Sequence, residues 1–83
     1  MRMTYDEVAD AAYVYLAESI APGEVAKTRP SMLEFDRAFI AFDFDSDGKV
    51  LGIEILGASR LVNEDVLRTA EHPGRSSDGP TQP

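Results

Sequence analysis

The acidic residues between Asp43 and Glu54 have the spacing of a calcium-binding loop. Acids alternate at the start of this stretch, Gly48 follows them, and Glu54 closes it. This pattern meets every fixed position of the calcium loop of a helix-loop-helix hand. Calcium takes about six to eight oxygen ligands, which the acids and the Lys49 carbonyl would supply around the glycine turn. The carboxylate ligands would be Asp43, Asp45, Asp47 and Glu54.

The segments that flank this loop decide whether it closes around an ion. Apolar side chains recur at every second position, at Ile40, Phe42 and Phe44 before the loop and at Leu51, Ile53 and Ile55 after it. Such alternation predicts strands, and Asp47-Gly48 between two strands is a strong hairpin signal. In a hairpin the acids would lie along the strand ladder and would not surround one point. We therefore expect no metal site, and weak calcium or divalent-ion binding is the alternative.

A helical interpretation of the same region also exists. Met32, Phe35, Phe39 and Phe42 are spaced by three, four and three residues, which is typical of an amphipathic helix entering a calcium loop. Gly52, however, would weaken a helix after the loop by about 1 kcal/mol relative to alanine. The strand interpretation is therefore the better one.

The sequence as a whole predicts a small α+β domain in residues 1–71 and a disordered tail in residues 72–83. We expect an antiparallel β-meander of four or five strands and one C-terminal helix, with Asn63 as the N-cap of that helix. His72 begins the tail and is expected to be exposed. The tail carries no large apolar side chain that would offset the entropy of ordering it. The strands are expected at 2–5, 11–17, 25–29, 39–44 and 50–56.

Two separated blocks of the chain resemble the domain-of-unknown-function family 2283. The first block contains Tyr5-Asp6 and then Ala9-Asp10-Ala11-Ala12-Tyr13-Val14-Tyr15-Leu16. The second block contains residues 42–50 and, directly after them, Leu51-Gly52-Ile53-Glu54-Ile55-Leu56-Gly57-Ala58-Ser59. The resemblance covers about residues 3–60. It implies a small antiparallel sheet in which the acidic stretch is a hairpin turn, and it brings no activity or catalytic residue.

Three aromatic residues are expected on the sheet face opposite the helix, namely Tyr13, Tyr15 and Phe39. Three aromatics on an uncovered face indicate an interface, and a homodimer is its simplest form. The alternative is that the loop from Pro30 to Ala38 folds over this face through Met32, Leu33 and Phe35.

Composition narrows the classes of partner. Fifteen acids against eight bases give a formal charge of −7, which disfavours nucleic acid and favours a basic protein as the partner, in the manner of an antitoxin.

No apolar run approaches the roughly 20 residues that span a bilayer, so we expect no membrane segment and a cytoplasmic location. No cofactor is expected. We expect a non-catalytic interaction module, with a small hydrolase using acid pairs such as Asp6 and Asp10 as a further alternative.

Overall fold

The computed structural model describes residues 1–73, which form one antiparallel sheet of five strands with a short helix after it. The predicted α+β class is confirmed. The part of the predicted tail that follows Pro73 lies outside the described residues. The elements are β1 Arg2–Asp6, β2 Ala11–Tyr15, β3 Lys27–Pro30, β4 Phe39–Phe44, β5 Val50–Leu56, a single 3-10 turn η1 Ala58–Arg60 and α1 Glu64–Thr69.

The strand order across the sheet is β1-β2-β5-β4-β3. The consecutive strands β3, β4 and β5 form a meander, and the β1–β2 hairpin joins it because β2 pairs with β5. The seven-residue strand β5, VLGIEIL, therefore lies at the centre of the sheet, between β2 and β4.

The main core lies on the face of the sheet that α1 covers. Tyr5, Ala12 and Ile55 from three neighbouring strands pack there against Ala58 of η1 and Leu67 of α1. Partly buried apolar side chains surround this cluster, namely Met3, Val14, Ile40, Ile53, Val62 and Ala70. The alternation read from the sequence places Val14, Ile40, Ile53 and Ile55 on this face, as observed.

Leu16 departs from that expectation. Its spacing of two residues from Val14 predicts that it extends the core face, but 42% of its surface is exposed. The amides of Leu16 and Ala17 both donate to the Leu51 carbonyl, at 3.0 and 3.1 Å. Two successive donors on one acceptor break the regular ladder, so the strand ends at Tyr15 and the next side chain leaves the core.

The helix begins where the sequence predicts. The side chain of Asn63 accepts a hydrogen bond from the Asp65 amide at 2.7 Å, which caps the first turn. Glu64 and Asp65 then place negative charge beside the unpaired amides of that turn. Within residues 1–73 no helix has the length and apolar character needed to cross a bilayer.

The chain after α1 returns to the sheet. Glu71 pairs with the free edge of β1: its carbonyl accepts from the Tyr5 amide at 2.7 Å and its amide donates to the Met3 carbonyl at 3.0 Å. This pairing places the His72 ring edge-on to Tyr5, with Nε2 3.1 Å from the Leu67 carbonyl oxygen. The prediction that His72 is an exposed tail residue is therefore wrong, because backbone pairing holds this segment against the core.

Candidate functional site

The sheet face opposite α1, which we call the open face, carries three rows of side chains. Strand register defines each row, because partners across an antiparallel ladder point to the same side. The first row is Arg2, Tyr15, Gly52, Asp43 and Thr28. The second row is Thr4, Tyr13, Glu54, Ala41 and Pro30. The third row is Asp6, Ala11, Leu56 and Phe39.

The structure thus brings the three aromatics expected at an interface, Tyr13, Tyr15 and Phe39, to one face. Phe39 is 43% exposed and its row neighbour Leu56 is 38% exposed, while the two tyrosines are partly buried. Within residues 1–73, the helical elements η1 and α1 contribute their buried side chains to the other face. That the three aromatic residues form an interface stays a prediction.

Side chains of the open face form a continuous chain of contacts across the sheet, which we call the transverse ladder. The Arg2 guanidinium carbon lies 3.9 Å from the centre of the Tyr15 ring, and the rings of Tyr15 and Tyr13 meet edge to face with centroids 4.8 Å apart. The Tyr13 hydroxyl donates to Asp43 Oδ2 at 2.6 Å, and the Thr28 hydroxyl donates to Asp43 Oδ1 at 2.6 Å. The ladder therefore links β1 and β2 to β4 and β3 across the central strand.

The central strand makes room for this ladder at Gly52. A Cβ atom at this position would lie 2.4 Å from the Tyr13 hydroxyl oxygen and 2.6 Å from the ring, closer than real contacts allow. The Tyr13 ring therefore lies over the bare backbone of Gly52 on its way to Asp43. Burial, followed by the hydrogen bond to the Asp43 carboxylate, raises the pKa of Tyr13 well above its usual range, so the phenol keeps its proton and remains a donor.

Sequence reasoning did not identify Arg2, Thr28 and Gly52 as parts of this site. A glycine inside an otherwise apolar strand often marks the close approach of another group, and Gly52 was such a signal. Arg2 and Thr28 carried no local signal, because their places in the first row depend on the order in which distant strands pair.

The loop after β3 leaves its apolar side chains in solvent. Met32 is 97% exposed and Leu33 is 71% exposed, although a single bridge joins Phe35 to Ala38. The alternative in which this loop packs over the open face is therefore wrong for Met32 and Leu33. Phe35 is partly buried, so only Met32 and Leu33 are shown to leave the open face uncovered.

The acidic loop is the turn of the β4–β5 hairpin, as predicted, and it does not join two helices. Asp45 organises the turn: its Oδ1 accepts the amides of Asp47 and Lys49, each at 2.9 Å, and its carbonyl accepts the Gly48 amide at 3.0 Å. Gly48 takes the positive φ of 80° that such a turn requires. Asp43 faces Tyr13 and Thr28 instead of the turn.

This geometry separates the four acids proposed as calcium ligands. Asp43 is committed to the transverse ladder, while Glu54 lies one row farther along the open face, opposite Ala41. The helical context of the calcium alternative is thus wrong. Within residues 1–73 no three histidine, aspartate or glutamate side chains are grouped so that they would hold a metal ion.

Calcium added to metal-free protein is expected to release no heat of binding and to leave the melting temperature unchanged at millimolar concentration. The physical reason is that Asp45 already uses its carboxylate to hold the turn amides. Isothermal titration calorimetry and thermal melts would measure this, with Asp45→Asn as the control for non-specific ion binding. A saturable calorimetric signal that Asp45→Asn abolishes would contradict the expectation.

The acid pair considered for hydrolysis serves the backbone instead. Asp6 Oδ1 accepts the amides of Val8 and Ala9 at 3.0 and 3.2 Å, which closes the β1–β2 turn. Asp10 accepts hydrogen bonds from Tyr5 and Ser59. A cavity of about 260 Å³ is lined by Tyr5 and Ser59 but by neither acid of this pair, and among the described residues no carboxylate is buried. The buried acid pair that a hydrolase of this kind would need is therefore not found in residues 1–73.

Asp10 nevertheless has a perturbed environment. Partial burial tends to raise the pKa of its carboxyl, but hydrogen bonds from the Ser59 hydroxyl, the Tyr5 hydroxyl and the Ser59 amide outweigh burial and hold that pKa below its ordinary value. The same contact raises the pKa of Tyr5, because its phenol must keep the proton that it donates. The cluster is therefore a structural joint between the β1–β2 turn and η1.

Comparison with known proteins gives a match to a protein family. The family described as a protein of unknown function (DUF2283) matches residues 2–59, which include all five strands and most of η1. No curated protein and no solved structure matches the chain. Since the matched region is more than half of the 83 residues, this chain belongs to the DUF2283 family.

Proposed function

We propose that this protein is a non-catalytic interaction module that pairs with a second copy of itself through the open face. The observation that carries the proposal is the transverse ladder. It presents two tyrosines and an arginine on the sheet face opposite the core to which η1 and α1 contribute. Tyrosine and arginine are among the residues that contribute most to binding at protein interfaces.

The ladder also lowers the entropic cost of binding. Tyr13 is held by Asp43 at one end and by the Tyr15 ring at the other, and Arg2 lies flat over Tyr15. Immobilising a long side chain at an interface costs about 0.5–1.5 kcal/mol of rotamer entropy. Side chains that are already fixed before binding avoid part of this cost. Pre-organisation of this kind is typical of binding surfaces.

The size of the face sets the expected strength. Five strands about 4.8 Å apart give a width of roughly 24 Å, and three rows of side chains give a length of roughly 20 Å. Such a face is near the low end of specific interfaces. We therefore expect a weak dimer.

A basic protein partner is the second candidate. The three rows carry three carboxylates, on Asp6, Asp43 and Glu54, against the single guanidinium of Arg2. This excess of negative charge on the open face, together with the formal charge of −7, would favour a cationic surface.

Sedimentation at several concentrations tests the self-pairing proposal. The weight-average mass is expected to rise toward that of a dimer between about 10 and 500 µM, and Phe39→Asp is expected to keep the chain monomeric because it places a charge inside an apolar contact. Val66→Asp is the matched control, since Val66 on α1 is 45% exposed and Phe39 is 43% exposed. A wild-type chain that stays monomeric would contradict self-pairing and leave the basic partner as the candidate.

A further inference from the structure

We propose that the two copies are related by a two-fold axis parallel to the strands, so that Arg2 of one copy faces Asp43 of the other. This inference rests on the proposed self-pairing and specifies its geometry. It follows from the unequal ends of the transverse ladder.

Charge is distributed unevenly along the first row. Arg2 lies on β1 at one edge of the sheet, and Asp43 lies on β4, three strands away. Between them the ladder contains the Tyr15 ring of the first row and the Tyr13 ring, which reaches from the second row over Gly52. The ladder therefore has a cationic end and an anionic end with an aromatic middle.

Two aligned face-to-face arrangements bring one ladder onto another. A two-fold axis parallel to the strands reverses the ladder, so the cationic end of each copy meets the anionic end of its partner. An axis perpendicular to the strands, in the plane of the interface and directly over the first row, keeps the direction, so Arg2 meets Arg2 and Asp43 meets Asp43. Like charges brought together in an interface are unfavourable, and opposite charges fix the register. The reversed arrangement is therefore favoured.

The Asp43 carboxylate and the Arg2 guanidinium, at the two ends of the ladder, can each form further hydrogen bonds. A carboxylate offers about four acceptor positions, and Asp43 uses one on each oxygen, for Tyr13 and Thr28. A guanidinium has five N–H donors in a fixed fork, and the structure uses one of those of Arg2 for a contact of 3.3 Å to Glu71. The side chain of Arg2 is 41% exposed, so its remaining donors are accessible.

Cross-linking distinguishes the two axes without altering the ladder. The chain has no cysteine, so introduced thiols report single positions. Thr4 on β1 and Pro30 on β3 lie in the second row, outside the ladder. With Arg2 facing the partner's Asp43, Thr4 faces β4 of the partner, and Pro30 on β3 lies one strand, about 4.8 Å, farther across the sheet. Packed sheets are about 10 Å apart, which exceeds the reach of a disulfide, so a short bismaleimide is the suitable reagent.

The reversed arrangement predicts that a mixture of Thr4→Cys and Pro30→Cys chains cross-links into a heterodimer, while Thr4→Cys alone does not. Intact-mass spectrometry identifies each product. Efficient cross-linking of Thr4→Cys to itself would overturn the proposed axis. Absence of both products, with dimer still present by sedimentation, would also overturn it. A chain that neither cross-links nor sediments as a dimer contradicts the proposed function itself.

A charge reversal adds a second measurement. Arg2→Glu is expected to weaken dimerisation about tenfold, because it places a carboxylate opposite the partner's Asp43. Arg29→Glu is the matched control: it makes the same change of net charge at an exposed position of β3 whose register partner, Phe42, lies on the other face. Equal effects of the two substitutions would contradict an Arg2 contact with the partner's Asp43.

Discussion

Replacing Asp10 by alanine is expected to lower the free energy of unfolding by about 2–4 kcal/mol, the largest effect of a single substitution that we expect here. Domains of this size have about 4–11 kcal/mol in total, so the variant would be close to unfolding. Chemical denaturation followed by circular dichroism would measure the change.

The reason is the number of groups that depend on this one side chain. Asp10 Oδ1 accepts from the Tyr5 hydroxyl at 2.7 Å and from the Ser59 amide at 2.9 Å, and Oδ2 accepts from the Ser59 hydroxyl at 2.7 Å. Tyr5 is a buried core residue, so alanine would leave its hydroxyl without an acceptor. The backbone carbonyl of Asp10 accepts the Gly57 and Ala58 amides, and alanine would keep these two bonds, so the expected loss comes from the side chain.

Backbone conformation adds to the effect. Asp10 has a positive φ of 53°, a conformation that aspartate and asparagine tolerate and alanine does not. Asp10→Asn is therefore the matched control, because it keeps an acceptor oxygen and this backbone preference while removing the charge. We expect a loss of about 1 kcal/mol for asparagine. An alanine variant as stable as the asparagine variant would show that the hydrogen bonds contribute little.

The same cluster predicts a dependence on pH. Because the pKa of Asp10 is lowered in the folded state, its contribution to stability is complete above the unfolded value of about 4 and disappears as pH falls through the folded value. Wild-type stability should therefore fall more steeply below about pH 4 than that of Asp10→Asn. Parallel acid unfolding curves for the two proteins would contradict this assignment.

Replacing Gly52 by alanine is expected to disrupt the transverse ladder and to weaken self-association about tenfold. The new methyl group would lie 2.4 Å from the Tyr13 hydroxyl oxygen, so the ring must move away and lose Asp43 as its acceptor. The expected loss of folding stability is about 1–3 kcal/mol, as for other overpacked sites. Denaturation and sedimentation on the same samples would measure both effects.

A double-mutant cycle separates the effect of the Tyr13 ring from the effect of glycine on the strand itself. With Tyr13→Ala as background the space over Gly52 is empty, and alanine at position 52 is expected to be neutral or stabilising by up to about 1 kcal/mol, because glycine weakens a strand interior. If Gly52→Ala costs the same in both backgrounds, the close approach of Tyr13 is not the reason for the glycine.

Much of the fold was predictable because its signals are local. The alternation around the acidic turn places β4 and β5 at the bounds that the structure shows, and the Asn63 cap fixes the start of α1. Asp45 and Gly48 form the expected hairpin turn. Each of these depends on residues a few positions apart, whose backbone preferences and hydrogen bonds act within one segment.

The sequence by itself therefore determined the strands, the hairpin and the face on which Tyr13 and Tyr15 lie. Only the tertiary structure decided what those residues do there, because β2 pairs with β5 and not with the next strand of the chain. That pairing places Tyr13 over Gly52 and within 2.6 Å of Asp43, thirty positions away. It also brings Ser59 to Asp10, while backbone pairing with β1 holds the segment of His72 against the core. Contacts between distant segments depend on strand order, and no local periodicity encodes that order.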